Sequence, residues 1–139
     1  MAASSAYDCS RYTSNAFQAV PVYNASATTI YAGTLVMANS SGKALPATPT
    51  ASVTFLGVAR KTVEQPASGS LTVDVGQGVF SFENSASAAL TAAYVGKPAY
   101  CEDDMTVKNA AGTNGFAVGI FLGFDPTTGK CIVDTTRRA

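Results

Sequence analysis

Ala67-Ser-Gly-Ser-Leu-Thr-Val-Asp-Val-Gly-Gln-Gly-Val-Phe-Ser-Phe-Glu-Asn84 is the stretch that decides how the rest of the chain is read. Leu71, Val73 and Val75 alternate with Thr72 and Asp74. That is the period of a half-buried strand, because successive side chains leave a pleated backbone on opposite faces. Gly76 and Gly78 flank Gln77, where glycine lets the chain turn at positive φ without a steric cost. The alternation then resumes, with Phe80 and Phe82 on the face opposite Val79 and Ser81. The stretch predicts a two-stranded hairpin at the centre of a mainly all-β fold, with Val73, Val75 and Phe80 in the core and Val79 packing beside them.

On either side lie two strongly apolar strands with glycine inside them. Val53 to Arg60 places Phe55 and Leu56 in the core and has Gly57 mid-strand. Phe116 to Phe124 places Phe121 and Leu122 there. An internal strand glycine marks a bulge or a close backbone approach. Shorter strands are expected at Val20 to Tyr23, at an edge because of Pro21, and at Ile30 to Met37 with a turn at Ala32-Gly33. Others are expected at Gly96 to Tyr100, Met105 to Lys108 and Lys130 to Thr135. Helix propensity is sustained only from Asn84 to Tyr94, enough for at most one short helix or turn.

A weak internal repeat runs through these strands. Gly33-Thr-Leu-Val, Phe55-Leu-Gly-Val and Leu71-Thr-Val-Asp are echoed by Gly96-Lys-Pro-Ala, Phe121-Leu-Gly-Phe and Cys131-Ile-Val-Asp. Such an echo implies a pseudo-symmetric β-barrel or sandwich with closed edges.

Composition narrows the function. At 139 residues the chain has room for one domain, and 47% hydrophobic against 13% charged residues is the balance of a folded chain. We expect residues 1–18 to form an extended arm carrying Tyr7, Tyr12 and Phe17, and residues 19–139 a single β-rich domain. The net charge of +0 leaves no positive field for phosphates, which disfavours nucleic acid as a partner. Met1 to Tyr23 shows neither a basic nor an apolar targeting segment, and no run approaches a membrane span, so a soluble protein made in the cytoplasm is expected. Asn24-Ala25-Ser26 and Asn39-Ser40-Ser41 match a glycosylation triplet but carry little weight without a secretory signal. Cys9, Cys101 and Cys131 are odd in number and widely spaced, and read as thiols, the last two as small hydrophobes in strands.

The chain offers little catalytic chemistry. It has no histidine, the commonest general base and metal ligand. No Gly-x-Ser-x-Gly elbow occurs. Glu102-Asp103-Asp104 reads as a solvated turn, because three consecutive acids cannot all face one ion. Gly76-Gln77-Gly78 is too short to cradle a phosphate. The expectation is a protein that is not an enzyme, with no cofactor, metal, membrane or small-molecule substrate. An alternative is a carbohydrate-binding or fibre-associated β module, with Tyr94 and Tyr100 as its exposed aromatics.

The order of the pieces carries a resemblance. Ala32-Gly33-Thr-Leu-Val, Phe55-Leu-Gly-Val-Ala, the central stretch, Val95-Gly-Lys-Pro-Ala-Tyr and Ala117-Val-Gly-Ile-Phe-Leu-Gly resemble, over about residues 30 to 135, the capsid decoration or cement proteins of tailed bacteriophages. The resemblance implies a small β-tulip-like barrel on the outside of the virion head, homotrimeric on the shell. There it would bind the major capsid protein and lock neighbouring subunits together. With that partner, Tyr7, Tyr12, Phe17 and Gln18 are the expected capsid or protomer contacts, made by an arm that adds a strand to a capsid-protein edge.

Overall fold

The structure is a computed structural model that describes residues 17–137. It is all-β, with one 3₁₀ turn at Ala92–Tyr94. The strands are β1 (Phe17–Pro21), β2 (Thr28–Ile30), β3 (Leu35–Ala38), β4 (Ala44–Pro46), β5 (Thr54–Ala59), β6 (Val63–Gln65), β7 (Thr72–Gly76), β8 (Val79–Asn84), β9 (Pro98–Cys101), β10 (Thr106–Lys108), β11 (Ala117–Phe124) and β12 (Cys131–Asp134). The first sheet runs β1-β7-β5-β3-β4, the second closes as a barrel β10-β8-β12-β11-β9, and β2 pairs with β6 alone. Closure comes from the parallel pairing of β10 with β8 and removes the open edges that such a sheet would otherwise leave.

The central stretch is not a hairpin. Both of its strands are where the alternation puts them, but β7 pairs with β1 and β5, while β8 pairs with β12 and β10. Gly76-Gln77-Gly78 is therefore the crossing from one sheet to the other. Alternation reports which way side chains point and is silent about which strand lies alongside.

The internal repeat is present as a repeat of ladders, in a different register from the one the letters suggest. Val36 opposite Gly57 matches Ala99 opposite Gly119; Val58 opposite Gly76 matches Ile120 opposite Asp134; Ala59 opposite Val75 matches Phe121 opposite Val133. The antiparallel pairing of β1 with β7 matches that of β8 with β12. Even the barrel closure has its counterpart, a single parallel bridge between Val22 and Ala44. The turns agree as well. Gly33 (φ +84°) donates to the Ala59 carbonyl and Gly96 (φ +86°) to that of Phe121, each at 2.8 Å, and Ser52 and Asn114 both sit near φ +60°. The Gly33 and Gly96 pairing holds as read. Gly57 matches Gly119 rather than Gly123, and Val75 rather than Val73 matches Val133.

Each sheet buries the same set of positions. Val20, Val36, Ala44, Ala59, Val73 and Val75 fill the first, and Phe82, Ala99, Val107, Phe121, Cys131 and Val133 fill the second. β3, which lies between β5 and β4, is buried on both faces: Val36 joins the first cluster, while Leu35 and Met37 join the second. Phe55 stacks on Phe116 across the two sheets at 6.1 Å between ring centroids. The Leu35 amide donates to the Asp104 carbonyl at 2.7 Å. Leu35, Met37, Phe55 and Val58 of the first sheet thus pack into the second sheet's apolar cluster, while the other face of the first sheet holds a cluster of its own.

Of the expected core residues, Phe55, Val73, Val75 and Phe121 are buried, and Leu56 and Phe80 are half-buried against the clusters. Leu122 is a correction. It is 38% exposed, because its neighbour Phe121 takes the inward position and the ladder is irregular between Phe121 and Gly123.

Gln65 ties β6 to the first sheet. It is 2% exposed, its Nε2 donates to the Val22 carbonyl at 3.1 Å, and its Oε1 accepts from the Leu71 amide at 3.0 Å. A buried amide satisfied on both sides stabilises mainly by sparing backbone groups the cost of burial without a partner, about 1–3 kcal/mol each.

Candidate functional surface

Tyr7 and Tyr12 lie outside the described residues. Phe17 and Gln18, assigned to the arm, belong instead to β1, opposite Gly76 and Val75. The expected arm boundary at residue 18 therefore falls inside β1. β1 is the end strand of its sheet. Pro21 closes it, exposed and without an N–H to offer, as an edge position permits. Gln18 and Ala19 are exposed as well.

A second surface was not legible as a site. On β12, Cys131 and Val133 point inward and are fully buried, so Ile132 and Asp134 face out. Their ladder partners place Ser81 and Val79 of β8 on one side and Ile120 of β11 on the other. Leu122 shares this outward face, and Val79, expected to pack inside, is 57% exposed. Asp134 stands within this face, between Val79 and Ile120. Lys130 pairs with Glu83 at 3.5 Å, and the Arg137 Nε donates to Asp134 at 3.0 Å. Hydrogen bonding from the Thr136 hydroxyl, helped by Arg137, holds the Asp134 carboxyl below its usual range. The alternation around Val79 and Ile132 carried the signal for this face, but only the ladder brings the strands together.

The acidic turn is more than a solvated loop. Asp103 is exposed, whereas Glu102 and Asp104 are half-buried. Ser85 Oγ donates to Glu102 Oε1 at 2.5 Å, and burial followed by the charge of Asp103 raises the Asp104 carboxyl. With the Asp104 carbonyl holding Leu35, the turn joins the two sheets. Tyr94 packs against the core with Lys97 Nζ 5.9 Å from its ring centroid, and Tyr100 is half-buried on β9. Among the described residues no group of three His, Cys, Asp or Glu side chains could hold a metal ion, and no helix is long and apolar enough to cross a membrane.

Cys101 and Cys131 are buried free thiols. Burial, then the charge of Asp103, pushes Cys101 up to about 12, and burial, then Glu83, pushes Cys131 up to about 11. The thiolate is the reactive form, so both should resist a maleimide at neutral pH in the native protein and react after denaturation, as peptide mass spectrometry would show. The sign for stability follows from the same shifts. The unfolded thiols ionise near 9.0, before the folded ones, so stability is full below that pH and falls as pH rises through 9 towards 12. A denaturation midpoint that is unchanged between pH 8 and pH 10.5 would contradict this.

Comparison of the chain with protein-family models, with curated proteins and with solved structures finds no match.

Proposed function

We propose that this protein is a capsid decoration protein of a tailed bacteriophage, a non-enzymatic structural component. It binds the outside of the mature head as a trimer and bridges neighbouring major capsid subunits. The observation that carries the reading is the position of β1, an end strand entered directly from residues 1–16. A segment leading into an end strand is suited to adding a strand to a partner's sheet edge. The motifs behind the resemblance support it further, because they fall on matching strands of the two ladders, β3 with β9 and β5 with β11. Binding only to the assembled shell stabilises that shell by mass action, as does any ligand of a native state.

The test is co-sedimentation of the full chain, and of a chain lacking residues 1–15, with expanded heads of the phage that encodes it. The full chain should pellet with the heads. The shortened one should stay in the supernatant while keeping the wild-type circular dichroism. Retained binding by the shortened chain would remove the arm from the mechanism.

A further inference from the structure

The two sheets close at equivalent places but not equally well. Val75 matches Val133, so Val73 matches Cys131, and their ladder partners Val20 and Phe82 match in turn. One and three residues further on, Pro21 stands where the second sheet has Glu83, and Tyr23 where it has Ser85. The closing hydrogen bonds agree with this register. Tyr23 donates its amide to the Ala44 carbonyl and Ser85 to the equivalent Val107 carbonyl, each at 2.9 Å. Glu83 adds a further amide, donated to the Met105 carbonyl at 2.9 Å. Its counterpart Pro21 has no N–H to give. The second sheet therefore closes over two residue pairs, and the first over the single bridge of Val22 with Ala44.

The first half also carries an element that the second lacks. Between β11 and β12 there is only the turn from Asp125 to Lys130, whereas between β5 and β7 the chain inserts β6, which pairs with β2. This ribbon holds the residues that make the weaker closure. The Gln65 Nε2 donates to the Val22 carbonyl at 3.1 Å, the Ser68 amide to the Asn24 carbonyl at 2.8 Å, and the Asn24 Nδ2 to the Gly69 carbonyl at 2.8 Å. The Gln65 Oε1 accepts from the Leu71 amide, which ties the ribbon to the approach to β7. Val22 to Asn24 are thus gripped by the ribbon on one side, while Ala44 of β4 holds them on the other.

We infer that the β2–β6 ribbon is a strap over a seam: it latches the junction of β1 with β4, and when it lifts the first sheet opens there while the second stays shut. Opening uncovers Val22 and Ala44, both buried in the closed form. Proteins open locally at less cost than they unfold, and the donor missing at Pro21 sets the place.

The test is amide hydrogen exchange of the full chain under native conditions, read residue by residue by nuclear magnetic resonance. In the wild type, Tyr23 should exchange roughly tenfold or more faster than Ser85, once each is corrected for its intrinsic rate. Gln65→Ala should quicken Tyr23 further and leave Ser85 unchanged. The Tyr23 amide bonds Ala44 and not Gln65, so mere loss of the glutamine's own hydrogen bonds would not reach it. Pro21→Glu, which copies the second sheet at an exposed position, should slow Tyr23 towards Ser85. Equal protection of Tyr23 and Ser85 in the wild type overturns the seam. A Gln65→Ala protein in which both amides quicken alike overturns the strap, because the loss is then global, and so does one in which neither changes. Should Gln65→Ala fail to fold, Asn24→Ala, which drops the bond to Gly69, makes the same comparison.

Discussion

Gly57→Ala is expected to cost more than about 3 kcal/mol, enough to leave much of the protein unfolded in mild denaturant. Gly57 holds φ +149°, which L side chains rarely adopt. The obstruction is also backbone. A β-carbon there would fall on the Gly76 carbonyl oxygen, with Val75 Cγ1 3.0 Å and Gln77 Cγ 3.2 Å away. Backbone cannot give way as a flexible side chain can, so β5 and β7 would have to separate. Gly33→Ala is the comparison. Gly33 sits at φ +84° with nothing within 4 Å of the added carbon, so only the left-handed conformation is penalised, at about 1–2 kcal/mol. Urea denaturation of both variants makes the measurement. Equal shifts would show that close approach of the strands is not what holds Gly57.

Val73→Asp is the second large effect. Val73 is fully buried in the apolar cluster that holds Val20, Val36, Val75 and Ile30. Burying an unpaired charge costs several kcal/mol, comparable with the whole stability of a small domain, so the variant should be unfolded at pH 7 by circular dichroism. Such a carboxyl has a raised folded pKa, so the penalty shrinks as pH falls and the group becomes neutral. Val73→Cys separates charge from volume. The ladder matches Val73 to Cys131, so the second sheet already accepts that side chain, and the cost should stay below about 1.5 kcal/mol. A soluble, native-like V73D at pH 7 would place Val73 outside the core.

Local residue patterns disclosed the strands better than their partners. The alternation from Leu71 to Phe82 located β7 and β8 but put Val79 with the packing residues, and Gly57 was read as a bulge or a close approach, both of which occur there. Pairing escaped because hydrogen bonds between strands leave no periodic trace, so a glycine turn between two alternating runs looks the same whether the chain folds back or crosses over. The repeat was misregistered for a related reason. Phe55-Leu-Gly and Phe121-Leu-Gly share letters, but bulges shift the β11 register at Phe121/Gly123 and again at Ala117/Gly119, which brings Gly119 to the position of Gly57. Leu122, placed in the core because its strand is apolar, has the exposed Arg60 as its structural counterpart. The outward face of β8 and β12 was hidden by the same limit, since Val79 and Asp134 are distant in sequence and are set side by side only by the ladder. The candidate arm rested on composition and aromatic placement alone.

The pairing of β1 with β7 also fixes an order of events during synthesis. β1 leaves the ribosome first, yet its ladder partner is the last strand of its own sheet. Val20 and Val22, both buried in the finished protein, stay in water until residues 71 to 76 have been made. Contacts this far apart in sequence form slowly, because the intervening loop must close before they repay its entropy. The N-terminal segment is thus made earliest and anchored late, and a nascent chain halted before β7 would still have its leading strand free to pair with the wrong neighbour.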